Sequence, residues 1–371
     1  MRPLYADLHV HSDDTVGTND TLYNLSYGRD VAGLDVLGYT ANDFNITEQR
    51  WDQAVKLIHE LNEPGRFVCY PGTEWCGNSC AGGVPATAVF GSRGGLTGVV
   101  AEAFDRASVG KALRARRTFA TTGERSFASL RQGKHFMGEV FTADANAPLD
   151  YRLLGEAGWE QVDLFDGDQL IWSRNLHQEL GFCAQRIRLR LGGARIKDRY
   201  RGAYWTGEIR ITGAVINGFR ALGLDHPEQT VWRKDATVLA FRTDTNGDTD
   251  SIEIDLSQLA GATLQIHSRI DNYVKVGDPS EPQPCVHAPT VVMELSGDEL
   301  LAQSQVVEEL PGAELKLSLE RMTAAPLPRE LQGRIELARL GLDPGREHPL
   351  FICARQRDQS RVWTSALFLT L

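Results

Sequence analysis

Two histidines one residue apart, His9 and His11, sit in the run Tyr5-Ala6-Asp7-Leu8-His9-Val10-His11-Ser12-Asp13-Asp14. Tyr5, Asp7, His9 and His11 alternate with Ala6, Leu8 and Val10, the period of two that marks a strand. Both imidazoles therefore share one face at the carboxyl end of that strand, where they can grip the same metal ion. A pair of satisfied structural histidines is the competing reading. Acidic and amide groups at equivalent places further along favour the metal. Asn42 and Asp43 follow the second expected strand, and Glu74 follows the third. In folds that alternate strand and helix, the carboxyl ends of parallel strands gather at one face, and sites form there.

The elements that must position these residues are legible as patterns. Strand one covers about 4–10 and a helix about 20–32. Leu34-Asp35-Val36-Leu37-Gly38-Tyr39 reads as strand two. Thr47 can cap a helix in which Trp51, Val55, Ile58 and Leu61 make one apolar stripe. Asn62, Pro64 and Gly65 stop that helix, and Arg66-Phe67-Val68-Cys69-Tyr70 is strand three. Such alternation predicts parallel strands with crossover helices. Residues 75–95 are rich in Gly, Ser, Cys and Pro and show no helix pattern. A strand follows at 96–100, a helix capped by Asp105 at 106–117, and a closing strand at 118–123.

From about 126 onward the pattern is β-rich, with strands expected at 207–213, 229–243, 250–256, 262–268, 289–295, 313–321 and 349–357 and a short helix near 298–306. The expected fold class is α/β plus all-β, with a β/α domain over 1–125 and a β-sandwich over 126–371. Ile187, Leu189 and Leu191 alternate with Arg186, Arg188 and Arg190, which predicts a strand with a solvated arginine face. Asp244-Thr245-Asn246-Gly247-Asp248-Thr249-Asp250 spaces its oxygens as calcium loops do. Its glycine is at the fourth position rather than the sixth, so a polar hairpin loop is expected.

Composition bounds the function. The chain has 371 residues, 42% hydrophobic and 24% charged, with a net charge of -10. That acidity argues against a nucleic-acid-binding surface. No apolar run is long enough for a membrane span, and the N-terminus lacks a signal-peptide core, so a cytoplasmic protein is expected. Of the six cysteines, Cys69, Cys76 and Cys80 cluster without a second pair, which predicts ordinary thiols rather than a zinc site.

At Asp7-Leu8-His9-Val10-His11-Ser12 the sequence resembles the polymerase and histidinol phosphatase (PHP) metallohydrolase superfamily. Asn42-Asp43 and Tyr70-Pro71-Gly72-Thr73-Glu74 match its next motifs. The runs Asp14-Thr15-Val16-Gly17-Thr18-Asn19 and Val36-Leu37-Gly38-Tyr39-Thr40-Ala41-Asn42-Asp43-Phe44 look like one branch, known only as domain of unknown function 3604. Gly94-Gly95-Leu96-Thr97, Ala120-Thr121-Thr122-Gly123 and the β-rich tail fit the same branch. The resemblance implies a distorted β/α barrel, a cluster of divalent ions (zinc, manganese or iron) and hydrolysis of small phosphoester or related ester substrates. Carried over, His9 and His11 would be ligands and Glu74 would bridge two ions. Asn42 stands where a histidine ligand is usual, Asp43 beside it could stand in, and Asp14 is a further candidate. The histidines that the superfamily draws from later strands are missing: none occurs between His59 and His135. Residues 1–125 are about half of the roughly 250 that a full barrel needs. The implied protein is therefore a partial, crippled hydrolase that could complete itself as a homo-oligomer. A non-catalytic β-sandwich binding protein with a vestigial metal site is the alternative.

Overall fold

The structure, a computed structural model, describes residues 3–42, 46–74, 95–193, 203–224, 227–245, 247–271, 290–310 and 315–371. It is mixed α/β and all-β. Two compact units divide it: Met1–Arg174 with Pro328–Leu371, and Asn175–Leu327.

The first unit opens as the alternation predicts. Strand β1 (Pro3–Val10), helix α1 (Thr21–Asp30), strand β2 (Val36–Asn42), helix α2 (Glu48–Leu61) and strand β3 (Val68–Glu74) follow in order. β1 pairs parallel with β2, and β2 with β3. Each helix starts on a side-chain cap: the Asp20 carboxylate accepts from the Tyr23 amide at 2.8 Å, and the Thr47 hydroxyl from the Arg50 amide at 3.3 Å. Ala54 and Ile58 are the buried centre of the α2 stripe, with Trp51, Val55 and Leu61 half-buried beside them. Leu4, Ala6, Val36, Val68 and Val99 form the core under Val109 and Ala112.

The pattern then departs from a barrel. Strand β4 (Leu96–Val100) pairs antiparallel with β1. Helix α3 (Arg106–Arg114) follows, capped by Asp105 as expected, and ends earlier than the expected 117 as Arg116 takes a left-handed φ of 54°. Strand β5 (Thr118–Thr121) pairs antiparallel with β4. The expected closing strand does not close the sheet. Its other edge pairs with Arg361–Thr364, with Ala120 opposite Trp363. The sheet then runs on through His348–Gln356 and Trp159–Asp166 to Gln169–Asn175.

That pairing moves the expected boundary. The compact unit does not end at residue 125. Segments 127–174 and 328–371, expected in the sandwich, belong with β1–β5. The reason is long-range: a strand near residue 363 supplies hydrogen-bond partners to one near 120, and strand periodicity carries no information about partners.

The second unit is a sandwich of two five-stranded sheets. One orders Ile216–Leu222, Thr249–Leu256, Phe182–Gly192, Lys316–Thr323 and Gln305–Glu309; the other orders Thr230–Arg233, Val238–Thr245, Ala203–Thr212, Thr263–Asp271 and Thr290–Ser296. Ile187, Leu189, Leu191, Trp205, Ile209, Phe241, Ile254 and Leu264 share their core. Two expectations are corrected here. The acidic run 244–250 is not a hairpin loop, because the strands it joins lie in different sheets; Asp250 is buried and accepts from the Thr243 hydroxyl. Asn246 lies outside the described residues. The arginine row is not a solvated face either. Arg188 has 0% exposure, and its Nε donates to Glu320 at 2.5 Å. Directly opposite Arg188 on its other side stands Glu253, so charges alternate across the sheet.

A buried charge that loses its partner is penalised more than a pair replaced together. Glu320→Ala should cost roughly 3–5 kcal/mol in urea unfolding. Adding Arg188→Leu should not recover that loss, because it takes the cross-strand charge from buried Glu253 and Arg190 still lacks Glu320.

Candidate metal centre

The site is built at the carboxyl ends of β1, β2 and β3. β1 does not pair evenly with β2: Asp7 faces Leu37 and Val10 faces Tyr39, so β1 carries one extra residue across Leu8 and His9. Such a bulge re-aims side chains. Gly38 sits against it, and a Cβ there would lie 2.8 Å from the Leu8 carbonyl oxygen. The Asp7 carboxylate accepts from the His9 amide at 3.1 Å and steadies the turn. Beyond His11 the chain is pinned again. Asn24 Nδ2 donates to the His11 carbonyl at 2.9 Å.

The two imidazoles meet through their Nε2 atoms, 3.0 Å apart. Glu74 Oε2 lies 3.2 Å from His11 Nε2 and 3.7 Å from His9 Nε2. Ligand atoms of His9, His11 and Glu74 all lie within 4.8 Å of one another. The side chains differ in exposure: 59% for His9, 5% for His11 and 34% for Glu74. Burial is the main force lowering the His11 pKa; the His9 ring adds to it and Glu74 opposes it. Burial likewise raises the Asp7 carboxyl, against the His9 amide and ring.

The two ring nitrogens of His11 have different surroundings. Nδ1 is buried with no partner among the described residues. Nε2 lies between His9 Nε2 at 3.0 Å and Glu74 Oε2 at 3.2 Å. The close Nε2 atoms and the carboxylate oxygen fit a divalent ion. Two histidines and one glutamate, with a fourth position open, are also a donor set of catalytic zinc sites.

Of the other expected ligands, Asn42 touches the cluster and Asp14 stands apart from it. Asn42, fully buried, faces Glu74 in the β2–β3 register and donates from Nδ2 to Glu74 Oε2 at 2.8 Å. Asp43 lies outside the described residues, as do Cys76, Cys80 and residues 75–94 as a whole. Asp14 is not in the cluster. Its Oδ2 accepts from the Thr21 hydroxyl at 2.6 Å and from the Tyr39 hydroxyl at 3.0 Å. Ser12 Oγ lies 2.8 Å from the Thr21 hydroxyl and 3.3 Å from that of Tyr39. Burial pushes the Tyr39 phenol up to about 12, so it stays a donor. Sequence reasoning missed this hydroxyl network. Its signal was the polar run Ser12-Asp13-Asp14 after His11, with Tyr39 within the second strand. Arg50, in the first turn of α2, donates from Nη1 to the carbonyls of Asp13 and Asp14 at 3.1 and 3.2 Å.

Compared with family models, curated proteins and solved structures, the chain matches none.

Two outcomes follow from this geometry. Gly38→Ala should destabilise the protein by roughly 1–3 kcal/mol through overpacking against backbone. It should also perturb the His9 and His11 imidazole resonances in NMR spectra. In acid, the unfolded chain protonates His11 near its ordinary value of 6.5, while the folded chain resists until lower pH. Stability of the metal-free protein therefore falls as pH drops through that window. Urea midpoints at about pH 7.5 and about pH 5.5 should show this, and His11→Gln should flatten it.

Proposed function

We propose that His9, His11 and Glu74 hold a divalent metal ion, and that the chain is a metal-dependent hydrolase acting on a small phosphoester or related ester. The convergence of two imidazole nitrogens and one carboxylate oxygen within 4.8 Å carries this reading. Mixed imidazole and carboxylate donors suit zinc, manganese or iron. When bound, such an ion would lower the pKa of its water and polarise an ester oxygen.

The chain's own residues have distinct parts. His11 supplies a neutral nitrogen from the interior, where burial disfavours its protonation. His9 closes the site from the solvent side, where a substrate can enter. Glu74 supplies negative charge, and Asn42 donates to it. Thr21 and Tyr39 hold Asp14, and with Ser12 they steady the loop that leaves His11. We read β1–β3 with α1 and α2 as a PHP-like β/α segment within a mixed sheet, a reading supported by the parallel pairing of the three strands. A cytoplasmic setting belongs to the same proposal. The free thiols of Cys69, Cys183 and Cys353 suit a reducing compartment. Among the described residues, no helix is long and apolar enough to cross a membrane.

Elemental analysis after dialysis against zinc or manganese tests the proposal. About one tightly held equivalent per chain is expected, given three protein ligands and an open position. His11→Ala and Glu74→Gln should each abolish retention. Hydrolysis of p-nitrophenyl phosphate should disappear with a chelator and return with metal. A wild-type chain that retains no metal would sink the proposal and leave the sandwich-type binding protein as the better reading.

A further inference from the structure

We infer that Asn42 is a positioning residue: it aims Glu74 at the two imidazoles and is not itself a metal ligand. The inference rests on the metal reading of the site and assigns a part that the motif comparison left open. Asn42 and Glu74 are paired neighbours in the β2–β3 register, so the backbone holds them side by side. Asn42 has 0% exposure, and its amide Nδ2 donates to Glu74 Oε2 at 2.8 Å. An ionised carboxylate only accepts hydrogen bonds, so the amide must turn its nitrogen toward Glu74. An amide ligates a metal ion through its oxygen, and the atom turned toward Glu74 is the nitrogen. Oε2 is also the oxygen that faces His11 Nε2 at 3.2 Å and His9 Nε2 at 3.7 Å.

One donor therefore selects the carboxylate rotamer that completes the cluster. Glu74 is 34% exposed, so its carboxylate also meets water. Without the Asn42 bond, the rotamer that turns the carboxylate to water competes with the one that faces the histidines. Groups that orient a metal ligand in this way are worth about 10- to 100-fold in metal affinity. The amide also occupies a place where an imidazole or carboxylate could have held a second ion.

Cobalt is a direct probe, because its visible absorption reports ligand number and geometry. Co2+ titration of the full chain should give one equivalent and a single band. Asn42→Leu removes the donor at similar volume; it should weaken Co2+ binding by about 10- to 100-fold. It should also shift the band at saturation, which a purely structural role would leave unchanged. Should that variant fail to fold, Asn42→Asp keeps the shape while replacing the donor with an acceptor, and its band should shift too. Folding of each variant is checked by its thermal transition without metal. A folded variant that binds Co2+ with wild-type affinity and an unchanged band overturns the inference. Failure of the wild-type chain itself to bind Co2+ overturns the metal reading instead, and the inference with it.

Discussion

The parallel pairing of β1, β2 and β3 is the constraint on which the site depends. It places Asn42 beside Glu74 and brings the His9–His11 strand to the same end of the sheet. No loop has to reach across the molecule to build the cluster. The cost of ordering the three side chains of the cluster is offset by backbone hydrogen bonds that the sheet makes in any case. One local irregularity, the bulge at Leu8 and His9, adjusts the aim of the imidazoles, and the missing side chain of Gly38 makes room for it.

Parallel strands buried on both faces need neighbours on both sides. A short β/α segment of this length supplies too few for a closed barrel. The edge of β1 is instead taken by β4, antiparallel, and the sheet then recruits β5 and strands from the far end of the chain. An edge left unpaired invites association with other chains. Pairing Phe119–Thr121 with Val362–Thr364 covers the outer edge of β5 within one molecule. The N-terminal segment is thus not a free-standing half-barrel, and the final strands are part of its architecture.

The sandwich illustrates a different balance. Its core follows a strict two-residue period, but the alternate positions carry charge that is also buried. Arg188 stands between Glu253 and Glu320 in neighbouring strands, so each charge meets its opposite across the ladder. Burial of such a row is tolerable only with partners on both sides, which is what the cross-strand register provides.

Residue types and spacing by themselves determined the alternating start, the capped helices, the inward faces of the sandwich strands and the convergence of His9, His11 and Glu74. These are local properties, because periodicity, caps and turn residues act within a few positions. Tertiary structure alone decided the rest. It turned Asn42 from an expected ligand into a donor to Glu74, and bound Asp14 to Thr21 and Tyr39 rather than to the cluster. It buried Arg188, split the acidic run 244–250 between two sheets, and joined residues near 120 to residues near 363. Each of these outcomes depends on which strand lies beside which. Backbone hydrogen bonds are the same at every residue, so they leave no mark in the sequence; partner and register are chosen by the packing of the whole chain.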